Sequence, residues 1–96
     1  MQLDQLRAFK PQIMEIAAQY GVSDIRVFGS VARGDADETS DVDLMIHMAK
    51  GKSLFDLIEF KQGVEEVIRK KVDVVEIEAV KNPIRRRHML EHVVPL

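Results

Sequence analysis

The sequence contains no cysteine. That absence excludes a disulfide scaffold, a thiolate-ligated zinc site and thiol catalysis. No apolar run approaches the roughly 20 residues needed to span a bilayer. The opening residues, Met1-Gln2-Leu3-Asp4-Gln5, have neither the basic nor the apolar stretch of a secretory leader, so the expected compartment is the cytosol. No excess of positive charge exists. Fourteen Lys and Arg face sixteen Asp and Glu, a formal charge of −2, which argues against a polybasic coat for nucleic acid. There is no internal repeat, low-complexity tract or linker. What the chain does have is 46% hydrophobic residues in 96, although aromatics supply only 5%. That suffices for one domain with a core of radius roughly 12–13 Å.

The periodicity predicts a helix from Leu3 to Tyr20, with Leu6, Ile13, Ile16 and Ala17 facing inward and Gly21 as its stop. Pro11 allows either a kink or a helix that starts there. A short strand, Ile25-Arg26-Val27-Phe28, is bounded by Ser23-Asp24 and Gly29-Ser30. Val31 to Ser40 reads as a polar loop. A second strand covers Val42 to Ile46. Ser53 is a plausible N-cap for a helix whose inward face is Leu54, Leu57, Ile58, Lys61, Val64, Val67 and Ile68. Val72 to Ile77 is rich in β-branched residues and reads as a third strand. Asn82 and Pro83 can open a last helix running to about His92. The order α-β-β-α-β-α describes an α/β (α+β) sandwich, with helices packed on one small sheet.

The chemistry points to acidic residues in unusual places. Asp41 and Asp43 are two apart at the start of a strand, so both carboxylates share a face. Asp43 is embedded among Val42, Leu44, Met45 and Ile46, and Asp73 sits between Val72 and Val74. Aspartate is depleted in strands, and apolar surroundings impose a desolvation cost. If the second and third strands are neighbours, three carboxylates converge. Like charges about 4 Å apart repel by roughly 1–4 kcal/mol, and these strands offer nothing basic to offset it. A divalent cation would, and all-oxygen ligands favour Mg²⁺ or Mn²⁺ over zinc. Gly29-Ser30, leading from a strand into a short helical turn, offers backbone N–H groups and a hydroxyl to a phosphate. No Gly-Lys-[Ser/Thr] follows, so this is not a Walker loop. The alternating acids Asp35, Asp37, Asp41 and Asp43 do not form an EF-hand, because its sixth and twelfth positions are Ser40 and Ile46.

Gly29-Ser30, ten residues, then Asp41-Val42-Asp43 and a distant strand aspartate resembles the signature of the polymerase-β-type nucleotidyltransferases. The fuller string, Phe28-Gly29-Ser30-Val31-Ala32-Arg33-Gly34 with Ser40-Asp41-Val42-Asp43-Leu44, is similar to the minimal nucleotidyltransferase group, along nearly the whole chain. The resemblance implies a nucleotidyltransferase fold with a short mixed sheet. It implies that Gly29 and Ser30 hold the β- and γ-phosphates of a nucleoside triphosphate. Asp41 and Asp43 would bind two Mg²⁺ ions, and Asp73 would bind the metal near the attacking hydroxyl or help deprotonate it. It further implies an antitoxin of the MntA kind, transferring AMP from ATP to a tyrosine of a HEPN-domain RNase toxin in a hetero-oligomer. Neither a membrane nor direct nucleic-acid binding is implied. Rival readings are an antitoxin that blocks its partner by binding alone, and a transferase for a small molecule or RNA with a separate acceptor-binding subunit.

The remaining signals are weaker. Arg33 can touch triphosphate or partner, or be a solvated loop residue. Arg85-Arg86-Arg87 spread around a helix at roughly 100° per residue. His88 and His92 have a chelating spacing but no third ligand. Glu76 competes with Asp73 by proximity in sequence. Val93-Val94-Pro95-Leu96 packs on the domain or joins an interface.

Overall fold

The structure, a computed structural model, describes residues 1–96. Two short helices, α1 (Leu3–Arg7) and α2 (Lys10–Tyr20), lead into strand β1 (Val22–Phe28) and the five-residue helix α3 (Gly29–Arg33). Strand β2 (Val42–Met48), helix α4 (Leu54–Ile68) and strand β3 (Val72–Glu76) follow. A 3₁₀ turn (Ile77–Ala79), helix α5 (Pro83–Met89) and strand β4 (Val94–Pro95) complete the chain. The strands lie in the order β3-β2-β1-β4. The β2–β3 pair is parallel and the other two are antiparallel, so the sheet is mixed. The radius of gyration is 12.7 Å, within the range expected from chain length. No helix is long and apolar enough to cross a membrane.

Alternation along the strands divides the sheet into two faces. Val42, Leu44, Ile46 and Met48 join Leu6, Ile13, Ala17, Phe60, Val64 and Ile68 in one buried cluster, so α2 and α4 cover this face. Asp43, Met45 and His47 point the other way. Met45 is fully buried yet stands outside that cluster, as does Ile77 of the 3₁₀ turn, which packs back on β2.

Most boundaries follow local chemistry. Gly21 caps α2 at φ +69°, the left-handed stop expected of it. Ser53 N donates to Asp56 Oδ2 at 2.9 Å, and Asn82 Oδ1 accepts from the Ile84 and Arg85 amides at 3.0 and 3.1 Å, so both expected caps form. The first helix is interrupted at Ala8 and Phe9, and Pro11 occupies the first turn of α2, where its missing N–H costs nothing.

Other expectations are corrected. β1 begins three residues before the expected strand and β2 ends two residues later, because antiparallel pairing to Met48 and His47 extends both. Val31 to Arg33 is helix rather than loop. α5 ends at Met89, short of His92. Val94–Pro95 forms β4, and Leu96 is buried, so the apolar tail packs on the domain. The inward face of α4 is also rotated. Phe60, Val64 and Ile68 are buried, whereas Leu54 and Ile58 are 69% and 38% exposed.

The rotated face makes a direct prediction. Phe60→Ala should cost about 3–5 kcal/mol in urea unfolding, since the ring is fully buried. Phe55→Ser, at a site 80% exposed, should cost less than about 0.5 kcal/mol. Equal effects would contradict this packing.

Candidate active site

The site is assembled where β1 ends and β2 and β3 begin. Parallel pairing aligns Val42 with Val72 and Asp43 with Asp73, so two carboxylates stand side by side on the sheet face opposite α2 and α4. Two contacts set that register. Val42 N donates to the Lys71 carbonyl at 2.9 Å, and Val72 N donates to Glu65 Oε2 at 3.0 Å. Glu65, which helical periodicity assigns to solvent, therefore locks the start of β3. The Val72 amide, helped by Lys61 at 3.3 Å, holds its carboxyl below the usual range. No sequence signal marks this role, because the partner is a backbone group seven residues away.

The loop carrying Asp41 is also pinned. Asp37 Oδ1 accepts from Thr39 N at 2.8 Å and Thr39 Oγ1 at 2.7 Å, and Ser40 Oγ accepts from Asp37 N at 3.0 Å. Ala36 is buried and its carbonyl accepts from Gln2 Nε2 at 2.7 Å. The loop thus enters β2 with Asp41 exposed at its head and Asp43 half-buried behind it.

Gly29 closes the arrangement from β1. Phe28 pairs with Asp43 across the antiparallel ladder, so the next residue turns directly over that carboxylate. Gly29 adopts φ +70°, and a Cβ placed there would stand 2.1 Å from Asp43 Oδ2. Only glycine fits, for both reasons. Ser30 follows at the start of α3, half-buried, and its carbonyl accepts from the Gly34 and Asp35 amides at 3.0 and 3.1 Å. Arg33 is exposed and donates from Nε to Asp35 Oδ2 at 3.3 Å, yet its charge still reaches Asp43.

The electrostatics match the expected conflict. Burial pushes the Asp43 carboxyl above the usual carboxylate range, Asp73 and then Asp41 push it further, and Arg33 opposes them. The donors are all carboxylate oxygens, the set that a hard divalent cation prefers. As the side chains stand, no three acidic or histidine groups already enclose an ion. A cation there would relieve the repulsion that Asp73 and Asp41 exert on Asp43, so the three carboxylates fit that role in chemistry.

The structure brings Gly29, Ser30, Asp41, Asp43 and Asp73 to one end of the sheet, with Arg33 at its margin. Glu76 does not join them. It pairs with Ile46 at the opposite end of β3 and lines a pocket with Leu54 and Leu57. His47, which carried no expectation, contacts Glu78 Oε1 through Nδ1. His88 and His92 line a cleft with Gly29 and Arg33.

Two outcomes follow. In chelator, the folded chain holds its Asp43 proton more tightly than the unfolded chain does. The folded state therefore binds more protons between the two pKa values, and stability falls as pH rises through that window. Asp43→Asn should flatten this fall and raise the neutral-pH melting temperature by a few degrees; a lower melting temperature would refute the conflict. Gly29→Ala should destabilise by at least about 1–2 kcal/mol in chemical denaturation, from the left-handed φ alone.

Comparison with known proteins agrees with this geometry. Residues 10–95 match the family model described as a nucleotidyltransferase domain. A Methanocaldococcus jannaschii protein named as a protein adenylyltransferase is 36% identical over 89 residues, 93% of this chain and 95% of its own. The protein adenylyltransferase MntA of Thermococcus cleftensis is 35% identical over 79 residues, covering 82% of this chain and 80% of its own. A solved structure described as a minimal nucleotidyltransferase superposes with a TM-score of 0.86 at 36% identity, over 100% of this chain and 97% of that one. A toxin–antitoxin complex with AMP-PNP shares the fold at a TM-score of 0.63 and 20% identity, over 75% of this chain and 60% of that one. With its family model spanning almost the whole fold, the chain belongs to the nucleotidyltransferase domain family, as an enzyme of the minimal kind.

Proposed function

We propose that the chain is a protein adenylyltransferase that moves AMP from ATP to a tyrosine hydroxyl of a HEPN-domain toxin, and so acts as its antitoxin. The observation that carries this reading is the Asp43–Asp73 pair in direct register, with the Gly29 backbone turned over Asp43. Two relatives named as protein adenylyltransferases, one of them MntA, support a protein acceptor. The exposure of Asp41 and Asp73 supports it too, because a side chain carried by another protein can reach them.

In this reading Gly29 and Ser30 hold the β- and γ-phosphates through backbone amides and the Ser30 hydroxyl. Asp41, Asp43 and Asp73 hold Mg²⁺, which when bound neutralises charge on the phosphates and on the leaving oxygen. The tyrosine oxygen attacks the α-phosphorus in line. A bond forms between that oxygen and phosphorus, the bond from the α-phosphorus to the bridging oxygen breaks, and pyrophosphate departs. Asp73 accepts the hydroxyl proton and passes it to water. Holding acceptor and triphosphate in line supplies much of the rate, and charge neutralisation much of the rest.

The test is the intact mass of the HEPN-domain partner after co-expression. The parent chain should add one or more AMP units. Asp41→Asn with Asp43→Asn should add none, a loss of at least about a thousandfold in transfer from α-labelled ATP. Full transfer by that variant overturns the proposal. Protection from the toxin by the same variant, without transfer, would instead make binding the antitoxin activity.

A further inference from the structure

The segment after β3 is fastened beside the Gly29 end of the sheet by its last residues, of which Leu96 joins the buried cluster and Val94 packs against it. α5 buries none of its residues, yet the chain beyond it is tightly fastened. Val94 and Pro95 pair with Val27 and Arg26 of β1. Leu96 N donates to the Ile25 carbonyl at 3.2 Å, and Arg7 donates to the carbonyls of Leu96 and Pro95 at 3.2 and 2.7 Å. Pairing at Val27 brings this segment within two residues of Gly29. Between them lies a cleft of about 450 Å³. Phe28, Gly29 and Arg33 form its near wall, and His88, Glu91 and His92 stand on its far wall. The carboxylates Asp41, Asp43 and Asp73 do not line it, so cleft and carboxylates meet at the Gly29 turn.

We propose that His88 and His92 bind the terminal phosphates of the nucleoside triphosphate, the part released as pyrophosphate, across the cleft from Arg33. The inference rests on the reading of Gly29 and Ser30 as the phosphate-holding turn. A triphosphate whose α-phosphorus lies at the carboxylates runs its β- and γ-phosphates past Gly29, and this cleft is the space beyond. Guanidinium and imidazole N–H groups are donors suited to phosphate oxygens. The cleft gathers three such side chains against one carboxylate, Glu91, whose Oε2 stands 3.7 Å from His88 Nδ1. The spacing of the two histidines, suggestive of metal chelation in the sequence, is thereby put to anion binding. The fastening of Val94 to Leu96 explains why an otherwise unburied helix is kept at this place.

The test uses the full chain with Mg²⁺ and compares calorimetric affinity for a non-hydrolysable ATP analogue with that for AMP. Both histidines are exposed, so His88→Ala with His92→Ala should leave the melting temperature unchanged. The double variant should bind the triphosphate at least about tenfold more weakly, with AMP affinity changed by less than about twofold. His88→Asn and His92→Gln, which keep an N–H donor, should recover part of the loss. Unchanged triphosphate affinity overturns the inference, as does an equal loss for AMP, which would move the histidines to the nucleoside. Triphosphate binding by the parent chain with no effect of the double variant removes this inference alone. No triphosphate binding by the parent chain removes the adenylyltransferase reading as well.

Discussion

Everything at the active end of the molecule depends on one electrostatic arrangement: carboxylates held on one sheet face without a counter-charge among them. Asp43 and Asp73 are neighbours because β2 and β3 pair in parallel register, not because either side chain prefers the other. Their repulsion, with that of Asp41, raises the Asp43 carboxyl beyond what burial alone does. A fold selected only for stability would place amides or aliphatics there. Local conflict of this kind is expected where residues are kept for function rather than for stability.

The surrounding structure has to impose that arrangement, and several unrelated contacts do so. The aliphatic and Phe60 core under α2 and α4 anchors alternate residues of β2, which leaves Asp43 no choice of face. Glu65 reaches from α4 to the first amide of β3 and sets where Asp73 falls. Ala36, buried beneath the loop, fixes the entry of Asp41. Gly29 supplies the last element, since its missing Cβ lets the β1 turn close over the carboxylate. Each contact is weak alone; together they hold three short side chains at one end of the sheet.

The same logic separates the two ends of the chain's second half. α4 carries a full inward stripe and packs into the core, whereas α5 contributes no buried residue. α5 keeps its place through its Asn82 cap on one side and the β4 pairing on the other. A helix kept in position without burial is free to present its side chains to a ligand, and its flank does line the cleft beside Gly29.

Much of this was legible in the sequence because it is local. Caps at Gly21, Ser53 and Asn82, the β-branched run of β3 and the Gly29-Ser30 to Asp41-Asp43 spacing are all written in adjacent residues. The alternation that turns Asp43 away from the core needs only the period of a strand. Other features were not legible. The inward face of α4 centres on Phe60 rather than Leu54 and Ile58, since a helix bears apolar residues around much of its girth and only the neighbouring sheet selects among them. β4 is two residues long and exists only because β1 offers an edge to pair with. By itself the sequence determined which residue types could hold a cation and a phosphate, because spacing and side-chain chemistry are properties of the chain. Only the tertiary structure decided that Asp73 stands beside Asp43, that Glu76 does not, and that His88 and His92 return to Gly29, because strand pairing and register join residues that no local rule connects.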